Sequence, residues 1–216
     1  VFVSYTGEAL DTKAPNLKSL HALSEAAVKV AGLFDQNVGA VKVNLGIEQE
    51  YFLVDEALYN ARPDLMLCNR TVVGHTSAKD QQLEDHYFGP LKSRISKFMT
   101  ELDVELWRLG INTKTKHNEA APAQHEMAPI FSDVNSACDS NQLVMEIMKK
   151  CAAKHNLVCL LHEKPFSGIT GSGKHNNYSL STDTGKNLFR PAKTPPPNAP
   201  LLLLLPAFLT GVGDSQ

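Results

Sequence analysis

Several features that would point to a special class are missing from this sequence. It has no dense basic block: 21 Lys and Arg stand against 23 Asp and Glu, a formal charge of −2. Polyanion binding is thereby excluded as a main task, and no nucleic-acid partner is expected. Cys68, Cys138, Cys151 and Cys159 show no CxxC spacing and follow no secretory leader. Reduced thiols in the cytoplasm, with a packing role only, are the expectation. The most apolar run, residues 201–209, is shorter than the roughly 20 residues a membrane span needs, and Pro206 interrupts it. It reads as a buried segment or a helix cut short, with no membrane partner. There is no internal repeat. What is present is 43% hydrophobic content over 216 residues, enough for a sizeable core in one domain or a large domain with extras.

Periodicity sets out an alternation of helices and strands. Leu17, Leu20, Leu23, Ala27, Ala31 and Phe34 recur at three- and four-residue spacing and predict a helix over residues 16–34 with one buried stripe. The period then becomes two. Val41, Val43, Leu45 and Ile47 alternate with Lys42, Asn44 and Gly46, predicting a strand that continues to Val54. Pro90 introduces a second amphipathic helix through Ile95, Phe98, Met99, Leu102 and Leu106, which Gly110 can end. A third helix is predicted over residues 135–155 with Leu143, Ile147, Cys151 and Ala152 inward. Strands are predicted at 113–119, 125–131 and 157–163, and regular structure should stop in the proline-rich stretch 194–200.

The stretch Gly168-Ile-Thr-Gly-Ser-Gly-Lys-His-Asn-Asn-Tyr-Ser-Leu180 comes close to a phosphate-cradling P-loop. That loop needs a hydroxyl after its lysine and a helix after that, with its N-terminus facing the phosphates. His175 stands where the hydroxyl belongs, and residues 176–181 alternate as a strand, so the P-loop reading fails twice. The glycines instead let backbone approach a ligand closely, and His175 offers a ring nitrogen to a metal.

Carboxylates elsewhere supply partners for that imidazole. Glu48 and Glu50 lie two apart in a predicted strand, so both side chains leave one face. Glu119 and Glu126 bracket Ala-Ala-Pro-Ala, small residues that let the chain pass near a site. Taken alone, each pair reads as a solvated sheet face or a polar hairpin, and His117 and His125 carry no more weight singly. Together, four carboxylates and one imidazole form a hard donor set suited to magnesium or manganese rather than zinc, of the kind that also holds substrate phosphates.

The order of Glu48-Gln-Glu-Tyr-Phe52, Asn118-Glu-Ala-Ala-Pro-Ala-Gln-His-Glu126 and Gly171-Ser-Gly-Lys-His-Asn-Asn-Tyr-Ser179 resembles glutamine synthetase. Residues 4–11, 81–88 and 160–166 are similar to segments of its large type III form, and the likeness covers residues 1–200. The resemblance implies an α/β catalytic domain, in part: a curved, mainly antiparallel sheet with the carboxylates on its concave face and helices behind. It implies a cytoplasmic homo-oligomer in nitrogen metabolism that uses ATP, glutamate and ammonia to form glutamine through glutamyl phosphate, with two divalent ions.

Carried over position by position, Glu50, Glu119 and Glu126 would hold the ion nearer glutamate, and Glu48 and His175 the ion near the ATP phosphates. Thr170 and Gly171 fall on glutamate-binding positions, and Phe131, Asn177 and Ser179 on nucleotide positions. A metal-bound imidazole is neutral, so activity should fall where His175 protonates. Thr170 departs from the family's usual Asn. The family's substrate arginines, the last carboxylate of its second metal site and its N-terminal domain have no counterpart in these residues. Residues 1–200 are therefore expected to be part of a catalytic domain, with 201–216 a truncated or divergent apolar tail, and the isolated chain inactive or nearly so. The alternatives are a silent fragment that acts as an assembly module through its apolar tail, and an unrelated two-metal phosphoryl-transfer enzyme.

Overall fold

A computed structural model describes residues 2–78, 80–84, 86–191 and 199–215. The elements run α1 (Lys13–Ala31), β1 (Val41–Asp55), α2 (Glu56–Asn60), α3 (Pro63–Cys68), α4 (Ser93–Arg108), β2 (Thr113–Asn118), β3 (Gln124–Pro129), β4 (Ser132–Asp133), α5 (Val134–Lys154), β5 (Leu157–Leu160), β6 (Lys174–Thr182) and α6 (Ala199–Gly213). A 3-10 turn, Gln82–Glu84, lies between α3 and α4. Strand order is β2-β3-β1-β4, with β5 and β6 also pairing with β1. The registered pairs are antiparallel. The chain divides into two units, residues 1–45, 132–135 and 178–216 in one and 46–131 and 136–177 in the other.

The core of the second unit explains why its strands and helices form where they do. Phe52 faces Gln124 of β3 and Leu160 of β5 in register, so these strands take opposite edges of β1. Tyr51, Leu53 and Met127 from the sheet pack with Phe98, Met99, Leu102 and Leu106 of α4 and with Val144, Met148, Cys151 and Ala152 of α5. Each large apolar side chain buried this way contributes about 1.5–3 kcal/mol. Asp103 is buried on the same face of α4 and is satisfied by Thr113 Oγ1 at 2.7 Å and Lys116 Nζ at 2.5 Å. The helix stops at Gly110, whose φ of +79° lets Gly110 N–H reach the Trp107 carbonyl (2.9 Å) and Ile111 N–H the Leu106 carbonyl (2.9 Å). That is a Schellman end, closed by the Ile111 and Leu106 side chains in one core cluster. In the first unit, Ala27, Ala31, Val38, Val41, Leu180 and Leu188 form a smaller core.

Several sequence expectations move. The first helix starts three residues earlier and ends at Ala31; Leu17, Leu23 and Phe34 stay exposed, because only Ala14, Ala27 and Ala31 of that helix are buried. Pro90 precedes α4 by three residues, and Leu143 faces outward while Val144 and Met148 turn in. β5 ends at Leu160, short of residue 163. The apolar tail is not a buried segment: α6 runs through Pro206 to Gly213 with no buried residue. No helix among the described residues is long and apolar enough to cross a membrane. The proline-rich stretch lies outside the described residues as far as 198, and Ala199 already opens α6.

Candidate functional site

Period-two geometry puts the carboxylates on facing strands. Glu50 pairs with Glu126 across β1 and β3, and Glu126 pairs with His117 across β3 and β2, so three ionisable groups stand in one row. His117 Nε2 lies 2.8 Å from Glu126 Oε2 and its Nδ1 3.5 Å from Glu119 Oε1. Ligand atoms of His117, Glu119 and Glu126 all lie within 4.8 Å of one another. Burial, then the charges of Glu119 and Glu48, push the Glu126 carboxyl up to about 8. Burial also opposes the charge on Glu48, but hydrogen bonds from Asn177, Glu126 and His175 outweigh it and hold that carboxyl below its ordinary value. Burial among like charges thus favours the protonated form of Glu126.

The second cluster gathers on Glu48. His175 Nδ1 lies 2.8 Å from Glu48 Oε2, and Asn177 Nδ2 donates to Glu48 Oε1 at 2.7 Å. Both partners come from β6, the strand that the alternation of residues 176–181 predicted in place of a P-loop helix. Glu50 instead accepts from Gly173 N–H at 2.8 Å, and its own N–H reaches the Gly173 carbonyl at 3.2 Å.

The glycine loop is held along its length. Gly173 is bound by Glu50, Ser172 N–H donates to the Glu163 carbonyl (2.9 Å), and Lys164 Nζ donates to the Ile169 carbonyl (3.3 Å). A Cβ added at Gly171 would come within 2.4 Å of the Glu163 carbonyl oxygen, so this close approach requires glycine. Thr170 meets Gln81 twice: its N–H donates to Gln81 Oε1 at 2.7 Å, and its Oγ1 accepts from Gln81 Nε2 at 2.8 Å.

The structure brings Glu48, His175 and Asn177 together, and Glu48 with Glu126 and Glu119. Phe131 is 65% exposed on the Gly46 side of β1. Ser179 falls in the other unit, where Asn44 Nδ2 donates to it at 3.5 Å. Sequence reasoning missed three residues. His117 reads in the sequence as a lone histidine, although its two-residue spacing from Glu119 at a predicted strand is an available signal. Gln124 had no such signal. It spans from the carboxylate hairpin to the loop, with Oε1 accepting from Ala121 N–H (3.3 Å) and Nε2 donating to the Gly171 carbonyl (3.0 Å) and Ser172 Oγ (3.1 Å). Gln81 is the third. A cavity of about 590 Å³ behind the loop, lined by Arg62, Val73, Thr76, Pro122, Phe166 and Ile169 among others, contains none of the carboxylates and is not the site of this chemistry.

The donor set suits a hard divalent cation. Carboxylate oxygens beside an imidazole nitrogen are ligand types that such an ion takes.

Comparison with known proteins fits this chemistry. Residues 26–204 match the family model described as glutamine synthetase, catalytic domain. A glutamine synthetase of Bacteroides fragilis is 58% identical over 216 residues, all of this chain and 30% of the relative. A type-3 glutamine synthetase of Dictyostelium discoideum is 50% identical over 98% of the chain and 29% of its own length. The chain thus spans about 30% of the length of these curated relatives. Among solved structures, glutamine synthetase of Plasmodium falciparum shares the fold at a TM-score of 0.54 and 20% identity, over 78% of this chain and 36% of that one.

Proposed function

The chain belongs to the glutamine synthetase catalytic-domain family, and from that premise we propose that the protein ligates ammonia to glutamate with ATP, through glutamyl phosphate. The observation that carries the reading is the convergence of His117, Glu119 and Glu126, whose ligand atoms lie within 4.8 Å of one another, a donor set that suits a divalent cation. Glu50, Glu119 and Glu126 would hold an ion on the glutamate side, and Glu48 and His175 one on the phosphate side, magnesium or manganese in both. When bound, such ions neutralise the charge on a transferring phosphoryl group.

The remaining work belongs to the chain's own residues. Asn177 and His175 fix the Glu48 carboxylate, Gln124 ties the Glu119–Glu126 hairpin to the loop, and Gly171 presents backbone to glutamate. Thr170 flanks that backbone, and Asn177 with Phe131 serves the nucleotide. Residues 1–200 are on this reading a part of the catalytic domain, residues 201–216 an apolar tail to it, and the whole protein a cytoplasmic homo-oligomer.

Calorimetric titration of the chain with manganese and ATP tests the proposal. Coupled binding that Glu126→Ala abolishes is expected; a folded chain that binds neither in a coupled way refutes it. Glutamate-dependent release of ADP then separates a synthetase from an ATP hydrolase.

A further inference from the structure

We propose that Gln81 is a positioning residue that turns Thr170 into a hydroxyl donor for an anionic substrate group. The inference rests on the reading of residues 170 and 171 as a glutamate-binding loop. One carboxamide makes both contacts: Gln81 Oε1 takes the Thr170 N–H at 2.7 Å, and Gln81 Nε2 fills a lone pair of Thr170 Oγ1 at 2.8 Å. The hydroxyl proton is then the one polar hydrogen of Thr170 that Gln81 does not take. A hydroxyl that accepts one strong hydrogen bond is polarised to donate another, and the natural complement of an exposed donor is a carboxylate.

Two further observations place the control at Gln81. Every other residue from Ile169 to Gly173 is held by Lys164, Gln124, Glu163 or Glu50, and residue 170 is held by Gln81 from 89 positions away. The backbone around Gln81 is also strained, with Asp80, Leu83 and Glu84 at φ of 52°, 56° and 53°. Left-handed non-glycine residues are strained and persist where the surroundings over-determine them. The strain is concentrated where the carboxamide must be aimed at Thr170.

Thr170 supplies the donor, and Gln81 supplies the amide that orients it.

The test measures amide hydrogen exchange by NMR on the 216-residue chain, alongside titration with L-glutamate and magnesium chloride. Gln81→Ala should speed exchange of the Thr170 N–H about tenfold or more while leaving Tm and exchange in α4 and α5 unchanged. Gln81→Glu should restore the protection, because the Thr170 hydroxyl can donate to a carboxylate in place of accepting from an amide. Thr170→Val should keep the slow exchange at residue 170, since the contact to Oε1 survives, and weaken glutamate several-fold; Thr170→Ser, which retains both the N–H and the hydroxyl, should keep the slow exchange and the glutamate affinity. Unchanged Thr170 exchange in Gln81→Ala overturns the proposal, as does glutamate binding in Thr170→Val that equals the wild type. If Gln81→Ala frees the loop but the wild-type chain shows no response to glutamate, Gln81 stands as the loop's anchor and the glutamate reading of the loop falls instead.

Discussion

Binding of a divalent ion to this chain at pH 7 should expel a proton, and the proton should come from Glu126. Burial and the neighbouring charges of Glu119 and Glu48 raise that carboxyl from 4.5 to about 8. A group that titrates near 8 is about nine-tenths protonated at pH 7, so close to 0.9 protons should leave per ion bound, falling to about 0.1 at pH 9. Apparent affinity should drop about tenfold for each pH unit below 8, because the ion competes with the proton for one carboxylate. The same shift fixes the stability of the metal-free chain. Folding takes up a proton that the unfolded chain releases above about 4.5, so this contribution is fully present below that pH and lost as pH rises through about 8. Isothermal titration with magnesium or manganese in two buffers of different ionisation enthalpy counts the protons, and Glu126→Gln should release none. A proton count near zero at pH 7 despite saturable binding, or one that stays level between pH 7 and pH 9, would refute the assignment of that proton to Glu126.

Three other outcomes follow from the packing and the site. Gly171→Ala places a Cβ 2.4 Å from the Glu163 carbonyl oxygen and should destabilise the chain by about 1–3 kcal/mol, read by urea denaturation; an unchanged midpoint would show that the loop is free to shift. Leu102→Ala removes a side chain that is 1% exposed between α4 and the sheet and should cost about 2–5 kcal/mol in the same assay, with a loss under 1 kcal/mol counting against the packing described. His175→Ala deletes the 2.8 Å partner of Glu48 and should weaken manganese binding at least about tenfold while leaving Tm within a few degrees, since His175 is exposed; equal manganese affinity would remove it from the donor set.

Much of this was legible in the chain because it depends on local period. Alternation from Val41 onward predicted β1 almost to the residue, and the same alternation after His175 ruled out the helix a P-loop needs. The Glu-x-Glu spacing and the Glu119–Glu126 bracket located four carboxylates that the sheet then gathered. Local period says nothing of what covers a helix, so the stripe of Leu17, Leu23 and Phe34 stands exposed, and α6 carries its leucines unburied through a proline expected to stop it.

Composition and spacing by themselves singled out candidates for the chemistry: hard oxygen donors and one imidazole in a glycine-rich segment. Tertiary structure alone decided how they act. Side-chain amides have no periodicity to betray them, so the reach of Gln124 to Gly171 and of Gln81 to Thr170 exists only once the chain has folded. The upward shift of the Glu126 carboxyl likewise belongs to no residue type. It arises because β3, β1 and the residue just after β2 bring Glu126, Glu48 and Glu119 together, and Glu126 is buried where like charges cannot all be borne.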